Sequence, residues 1–157
     1  MPIFSTQDAV TEVNRIRADG GRLVFTNGVF DLLHPGHLRY LQQSRQLGDA
    51  LVVGVNSDRS VRAIKGKNRP VIPENERAEI LAALSCVDIV VIFDEDTPYA
   101  LIARLQPDVL VKGADWPEDG MIGRDIVEGR GGRVVRVPFE AGYSTTKIIE
   151  QIGKPPR

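Results

Sequence analysis

A single cysteine, Cys86, rules out any disulfide within the chain, and a cross-linked scaffold is excluded. A lone thiol fits a reducing compartment, so a cytoplasmic location is expected. Histidine is nearly as scarce, with only His34 and His37 among 157 residues. No apolar run approaches the roughly 18 residues that a membrane-spanning helix needs. The stretch Met1 to Asp8 lacks a basic segment followed by an apolar one, so no signal peptide is expected. Neither sign of charge is in excess: 20 basic and 21 acidic side chains sum to −1. That balance argues against a chain that grips nucleic acid or an acidic membrane. Two glycine signatures are also missing. No Gly-x-Gly-x-x-Gly follows the first strand, which disfavours a dinucleotide-binding oxidoreductase, and no Gly-x-x-x-x-Gly-Lys-Ser/Thr loop marks a common NTPase.

What is present suits one folded domain spanning 1–157, with an N-terminal helix within 1–20 and a short tail over 153–157. Apolar residues make up 42% of the chain and charged residues 26%, enough to fill a core without disorder. Short β-branched runs alternate with helical patterns. Helices are predicted over Thr6–Ala18, Pro35–Leu47, from Ser57 or Asp58, Pro73–Leu84, Thr97–Leu105, Asp125–Gly129 and Ser144–Ile152. Strands are predicted over Leu23–Phe25, Leu51–Val55, Val87–Phe93, Val109–Val111 and Val134–Val137. Continuously apolar strands alternating with helices imply an α/β fold: a mainly parallel sheet of about five strands, covered by helices on both faces. In such sheets ligands bind beyond the carboxyl ends of the strands, near the point where strand order reverses.

The segment richest in chemistry is Thr26-Asn27-Gly28-Val29-Phe30-Asp31-Leu32-Leu33-His34-Pro35-Gly36-His37. It follows the first strand and opens a helix, where Pro35 suits the first turn. His34 and His37 are three apart and project on one side of the helix start, beside N–H groups that favour an anion such as phosphate. Gly28 permits a tight turn, and Gly36 leaves room for a ligand to approach the backbone. The plainer reading is that one histidine caps the helix while the other lies on the surface. A zinc site lacks further histidine or cysteine ligands. Ser144-Thr145-Thr146-Lys147 starts the last helix with three hydroxyls able to cap it or to donate to phosphate. Arg62, Lys65, Lys67 and Arg69 form a basic loop without a negative charge, able to close on an anion or simply solvated. Lys112-Gly113-Ala114-Asp115-Trp116 follows the fourth strand, where Gly113 allows backbone approach and Trp116 offers a stacking face. Cys86 reads as core, with no histidine partner placed by the sequence.

The Asn27–Asp31 turn, His34-Pro35-Gly36-His37 and Ser144–Lys147 together resemble the cytidylyltransferase-like nucleotidyltransferases, from about Leu23 to Ile152. Val55-Asn56-Ser57-Asp58, Lys65-Gly66, Arg69-Pro70-Val71, Asp94–Pro98 and Lys112–Trp116 are similar to those that adenylate D-glycero-D-manno-heptose 1-phosphate. The resemblance implies a Rossmann-like, doubly wound fold, ATP and a sugar 1-phosphate as substrates, and Mg²⁺ carried with the triphosphate, its protein ligands unassigned. It also implies a homodimer, no nucleic-acid or membrane partner, and a sugar kinase acting earlier in the pathway; at this length that kinase is expected on a separate chain. His34, His37 and Lys65 take the catalytic roles. Asn27, Gly28, Phe30, His34, Gly36, His37, Lys112, Gly113, Tyr143, Ser144, Thr145 and Thr146 bind the nucleotide. Asp31, Lys65, Arg69 and Arg77 meet the acceptor, with Asp31 near its phosphate or a metal. Glycerol-3-phosphate cytidylyltransferases carry an arginine upstream of the Ser-Thr-Thr-Lys motif and an aromatic residue at position 27. This chain has neither, which disfavours glycerol phosphate and CTP. The alternatives are a cytidylyl- or guanylyltransferase for another acceptor, an adenylate-forming ligase, and a nucleotide sensor without turnover.

Overall fold

The computed structural model describes residues 2–155; Met1 and the end of the expected 153–157 tail, Pro156 and Arg157, lie outside the described residues. Five strands, β1 (Leu23–Gly28), β2 (Ala50–Asn56), β3 (Ile89–Phe93), β4 (Val109–Gly113) and β5 (Arg133–Val137), form one sheet in the order β3-β2-β1-β4-β5. Every neighbouring pair is parallel. The connecting helices are α1 (Thr6–Ala18), α2 (Pro35–Arg45), α3 (Asp58–Lys65), α4 (Glu74–Ala82), α5 (Tyr99–Leu105), α6 (Arg124–Gly129) and α7 (Thr145–Ile152).

Alternate residues of each strand enter two separate cores. Val24, Leu51, Val53, Val90, Val109 and Val111 pack with Tyr40 and Leu41 of α2 and with Ala78 and Leu81 of α4. Leu23, Phe25, Val52, Ile89, Val91 and Leu110 pack with Ala9 and Val13 of α1, Leu101 and Ile102 of α5, and Val127 of α6. Burial on both faces is why the strands read as unbroken apolar runs. Pro2 and Phe4 bond the backbone of Val90 and cover the β3 edge. Strand order reverses between β1 and β4, which places the ligand crevice at their carboxyl ends.

The structure departs from the expected boundaries at informative places. β1 continues past Phe25 through Thr26, Asn27 and Gly28, which pair with Val53, Gly54 and Val55. β4 likewise runs on through Lys112 and Gly113. The apolar pattern stops earlier than the ladder because the last residues of each strand border the cleft. α2 ends at Arg45 rather than Leu47, α4 begins after Pro73, β3 begins at Ile89, and a 3₁₀ turn forms over Glu118–Gly120.

A buried polar clamp fixes the loops that reach the crevice. Arg77 is 1% exposed. It donates to Ile72 O at 2.9 Å, to Val29 O at 2.6 Å and to Asp58 Oδ1 at 2.8 Å. Asp31 accepts from Arg69 Nε at 2.7 Å and from the N–H groups of Val71 and Ile72 at 2.9 Å. The backbone of Ile72 is therefore held at its N–H by Asp31 and at its C=O by Arg77. These bonds tie the 69–72 loop and the start of α3 to the β1–α2 turn. Arg77→Ala should lower unfolding free energy by about 3 kcal/mol, the lower end for breaking a buried ion pair, because Asp58 is partly exposed. Chemical denaturation would check this, and Arg77→Lys should recover only part of the loss because an ammonium lacks the guanidinium fork.

Candidate active site

A cleft of about 620 Å³ opens at the carboxyl ends of β1 and β4. Thirteen of the sequence-predicted site residues line it: Asn27, Gly28, Phe30, Asp31, His34, His37, Lys65, Arg69, Lys112, Tyr143, Ser144, Thr145 and Thr146. Arg77 does not; it serves the clamp beneath the loop. Gly36 and Gly113 do not line the cleft either. A Cβ on Gly36 would lie 2.9 Å from His34 Nδ1 and 3.0 Å from Tyr143 Cβ. One on Gly113 would lie 2.2 Å from the Phe139 ring. Both glycines are thus closely packed against side chains.

The histidine wall is built from the β1–α2 turn. Phe30 holds a left-handed backbone at φ +49°, costly for a bulky residue and typical of functional turns. Gly28 accommodates it: a Cβ there would stand 2.9 Å from the Phe30 ring. That ring meets His37 edge-on with centroids 5.4 Å apart. His34 caps α2, its Nδ1 accepting from the His37 N–H at 3.3 Å, and the two imidazoles stack with centroids 3.8 Å apart. Capping and site roles thus coincide in His34, and His37 faces the same cleft.

Protonation follows from these contacts. Burial lowers the pKa of His34, and burial with the neighbouring His34 pushes His37 down to about 4. Because His34 Nδ1 accepts a hydrogen bond, the neutral ring carries its proton on Nε2. His37 Nδ1 is buried without a partner among the described residues, so a proton there would be unsatisfied and Nε2–H is again favoured. Both rings offer an N–H donor while remaining neutral at pH 7.

The start of α7 closes the same wall. Ser144 caps the helix by accepting from Lys147 N at 3.5 Å, and Tyr143 stacks beside His34 with centroids 5.9 Å apart. Thr145 Oγ1 donates to Leu32 O at 3.0 Å, so its hydroxyl is committed to the β1–α2 turn. Asp31, expected near a phosphate or metal, has its carboxylate committed to the 69–72 loop. Burial works to raise its pKa, but the Ile72 and Val71 N–H groups and Arg69 outweigh it, and the carboxyl stays below its ordinary value. Across the cleft Lys112 is 6% exposed and donates to Asn27 Oδ1, and burial lowers its pKa to about 8.

Several lining residues were given no site role by the sequence, although Asn56, Asp96 and Thr97 lie in segments that carry the resemblance. Tyr40 bonds Thr26 Oγ1 at 2.8 Å and stacks on Phe139 at 4.8 Å, and burial pushes its phenol up to about 12. Its spacing of three from His37 was the available signal. Asn56 ends β2 just as Asn27 borders the end of β1, so the carboxyl-edge rule would have found it. Asp96 and Thr97 come from the quoted Asp94–Pro98 segment, and Ile122 from a loop whose reach the sequence does not encode locally.

A five-stranded parallel sheet with two helix N-termini and a histidine pair at its switch point defines a doubly wound α/β protein. Residues 25–151 match the cytidylyltransferase-like family. The chain belongs to that family, as its motifs indicated. The bifunctional protein HldE of Pelobacter propionicus is 60% identical over 136 residues, covering 87% of this chain and 28% of the relative. HldE of Geobacter sulfurreducens is 60% identical over 138 residues, covering 88% of this chain and 28% of the relative. The chain therefore spans under a third of these relatives' length. Among solved structures, a lipopolysaccharide core biosynthesis protein from Thermoplasma volcanium is 33% identical with a TM-score of 0.63, covering 77% of this chain and 98% of that one. A pantoate–β-alanine ligase from Francisella tularensis is 13% identical with a TM-score of 0.63, covering 95% of this chain and 76% of that one, and shares the fold alone. No described helix is long and apolar enough to cross a membrane.

The depressed His37 pKa has a consequence for acid stability. Between its ordinary value of 6.5 and about 4, the unfolded state binds a proton that the folded state excludes. Stability is therefore lost as pH falls through that window. His37→Asn should lose less over the same interval, by on the order of 2–3 kcal/mol, measured by denaturation at pH 7 and pH 4.5 without ligand.

Proposed function

We propose that the protein joins the AMP portion of ATP to D-glycero-D-manno-heptose 1-phosphate, giving ADP-heptose and pyrophosphate. The observation that carries this reading is the stacked His34–His37 pair at the α2 N-terminus, beside the α7 N-terminus in one cleft. That arrangement suits a polyphosphate. The heptose acceptor is supported by the sequence resemblance, the bifunctional HldE relatives and the neighbour named for lipopolysaccharide core biosynthesis.

A phosphate oxygen of the acceptor attacks the α-phosphorus of ATP. A P–O bond forms to the acceptor, the bond between the α-phosphorus and the bridging oxygen breaks, and pyrophosphate leaves with the electron pair. The attacking oxygen is already anionic, so no strong base is required, and the protein's work is positioning and charge stabilisation. His34 and His37 donate through Nε2–H to the α- and β-phosphates. The free N–H groups of the first α7 turn, with the Ser144 and Thr146 side chains, hold the β- and γ-phosphates. Gly28 and Phe30 set the turn that aims the histidines. Lys65, at the end of α3, approaches the phosphates, and Arg69 keeps its outer guanidinium nitrogens for the acceptor while Nε holds Asp31. ATP enters as its Mg²⁺ complex. In such a complex, phosphate oxygens and water supply most of the ion's ligands. A homodimer, a sugar kinase earlier in the pathway and a cytoplasmic setting accompany this proposal.

Two measurements test it. His34→Asn and His37→Asn should each lower kcat by about 10²–10³, the usual cost of losing a preorganised charge stabiliser, with thermal stability nearly unchanged. Activity lost only in parallel with stability would make the histidines structural. Pyrophosphate release, measured for ATP, CTP, GTP and UTP against heptose 1-phosphate, hexose 1-phosphates and glycerol 3-phosphate, should be fastest for ATP with heptose 1-phosphate. Faster turnover with another nucleotide would overturn the adenine assignment, and nucleotide binding without pyrophosphate from any pair would favour a sensor.

A further inference from the structure

The sheet divides the cleft into two sides. Thr26, Tyr40 and the histidines lie on the face covered by α2 and α4, where Thr26 Oγ1 meets Tyr40 Oη at 2.8 Å. Asn27 lies on the opposite face: a Cβ built on Gly54 would contact Phe25, the Asn27 Cβ and Leu101 together at 3.0–3.3 Å, and Phe25 and Leu101 belong to the α1/α5 core. Lys112 follows Leu110 by two residues and so shares that face. The resemblance groups Asn27 and Lys112 with the nucleotide contacts, but the edge of the sheet separates them from the histidines.

Lys112 is buried, and among the described residues its ammonium forms no ion pair, although the Asp115 carboxylate lines the same cleft. Its neighbours are Asn27 Oδ1 and the Trp116 ring, whose centroid is 5.9 Å from Nζ. A buried cation held by one neutral oxygen and a ring face is poorly compensated. An ammonium only donates, so the amide atom facing it is the oxygen, and the Asn27 NH₂ is left to donate elsewhere. No described residue accepts from it. Lys112 and Asn27 together present a charge and amide N–H donors with no anion to receive them.

We propose that the Lys112–Asn27 pair anchors the anionic phosphate of the acceptor substrate, and so acts as a specificity determinant of the transfer. The inference rests on the nucleotidyl-transfer reading. In-line displacement puts the attacking oxygen opposite the departing pyrophosphate. Imidazoles and the α7 N-terminus hold the triphosphate on the α2 side of the edge, so the acceptor phosphate approaches from the α1/α5 side. A phosphate there supplies the counter-charge Lys112 lacks. The attacking oxygen gives up no proton, so Lys112 acts by charge and direction only.

Two variants separate an anion anchor from a structural strut. Lys112→Met keeps length and removes charge. Asn27→Asp supplies an internal counter-ion that satisfies Lys112 without ligand. The binding readout is inorganic phosphate titrated calorimetrically into protein saturated with α,β-methylene-ATP, since phosphate is common to every candidate acceptor. Both variants should weaken phosphate binding at least tenfold and change the affinity for α,β-methylene-ATP less than threefold, with melting temperature unchanged or raised. In turnover, KM for the sugar 1-phosphate should rise at least tenfold, and KM for ATP should stay within threefold. Phosphate binding equally well to Lys112→Met, or failing to bind the wild type, would overturn the inference. Weakened binding of the ATP analogue alone would return the pair to the nucleotide. Failure of the wild type to turn over heptose 1-phosphate, with the phosphate result intact, would overturn the heptose assignment and leave the anchor standing.

Discussion

A parallel sheet buried on both faces leaves polar side chains few positions within its strands except their ends, and parallel strands bring their carboxyl ends to one edge. Thr26, Asn27, Asn56 and Lys112 are the strand residues that obey this constraint here. The apolar residues before them are spent on two cores, and just past them only single residues such as Phe30 and Val61 return to the interior. Chemistry therefore gathers where β1 and β4 diverge, and the turns after those strands inherit it.

Holding such an edge open is expensive, and the clamp around Ile72 shows how the fold meets the cost. Asp31 lies directly within the most suggestive motif, yet its carboxylate is consumed by two backbone N–H groups and Arg69. Arg77 is consumed in the same way from the other side. Both ionic groups work by fixing the backbone that carries their neighbours. With Asp31 paired to Arg69, the cleft wall around the α2 start presents imidazole and helix N–H groups, while Lys112 and Asn27 face it together with the carboxylates of Asp96 and Asp115.

Sequence periodicity was enough for the helices, the five strands and the parallel arrangement, because two-sided burial writes itself as unbroken apolar runs. The histidine pair was legible because histidine is rare here and its spacing matches a helix turn. Arg77 was misread because a buried and a ligand-binding arginine look identical in sequence; only its three partners distinguish them. At Gly36 and Gly113 the sequence is equally silent, since a glycine that admits a ring resembles one that admits a ligand. Asn27 and Lys112 were found, but strand parity, which puts them across the sheet from the histidines, becomes visible only once the strands are known to extend beyond their apolar stretch.

The last helix is held differently from the others. None of the residues of α7 is fully buried, Ile152 is 75% exposed, and the Thr145 hydroxyl bond to Leu32 secures its first turn to the β1–α2 turn. Under the proposed reading, a phosphate-contacting helix fastened this lightly would yield more easily than one packed as firmly as α2, and that compliance would favour departure of the pyrophosphate.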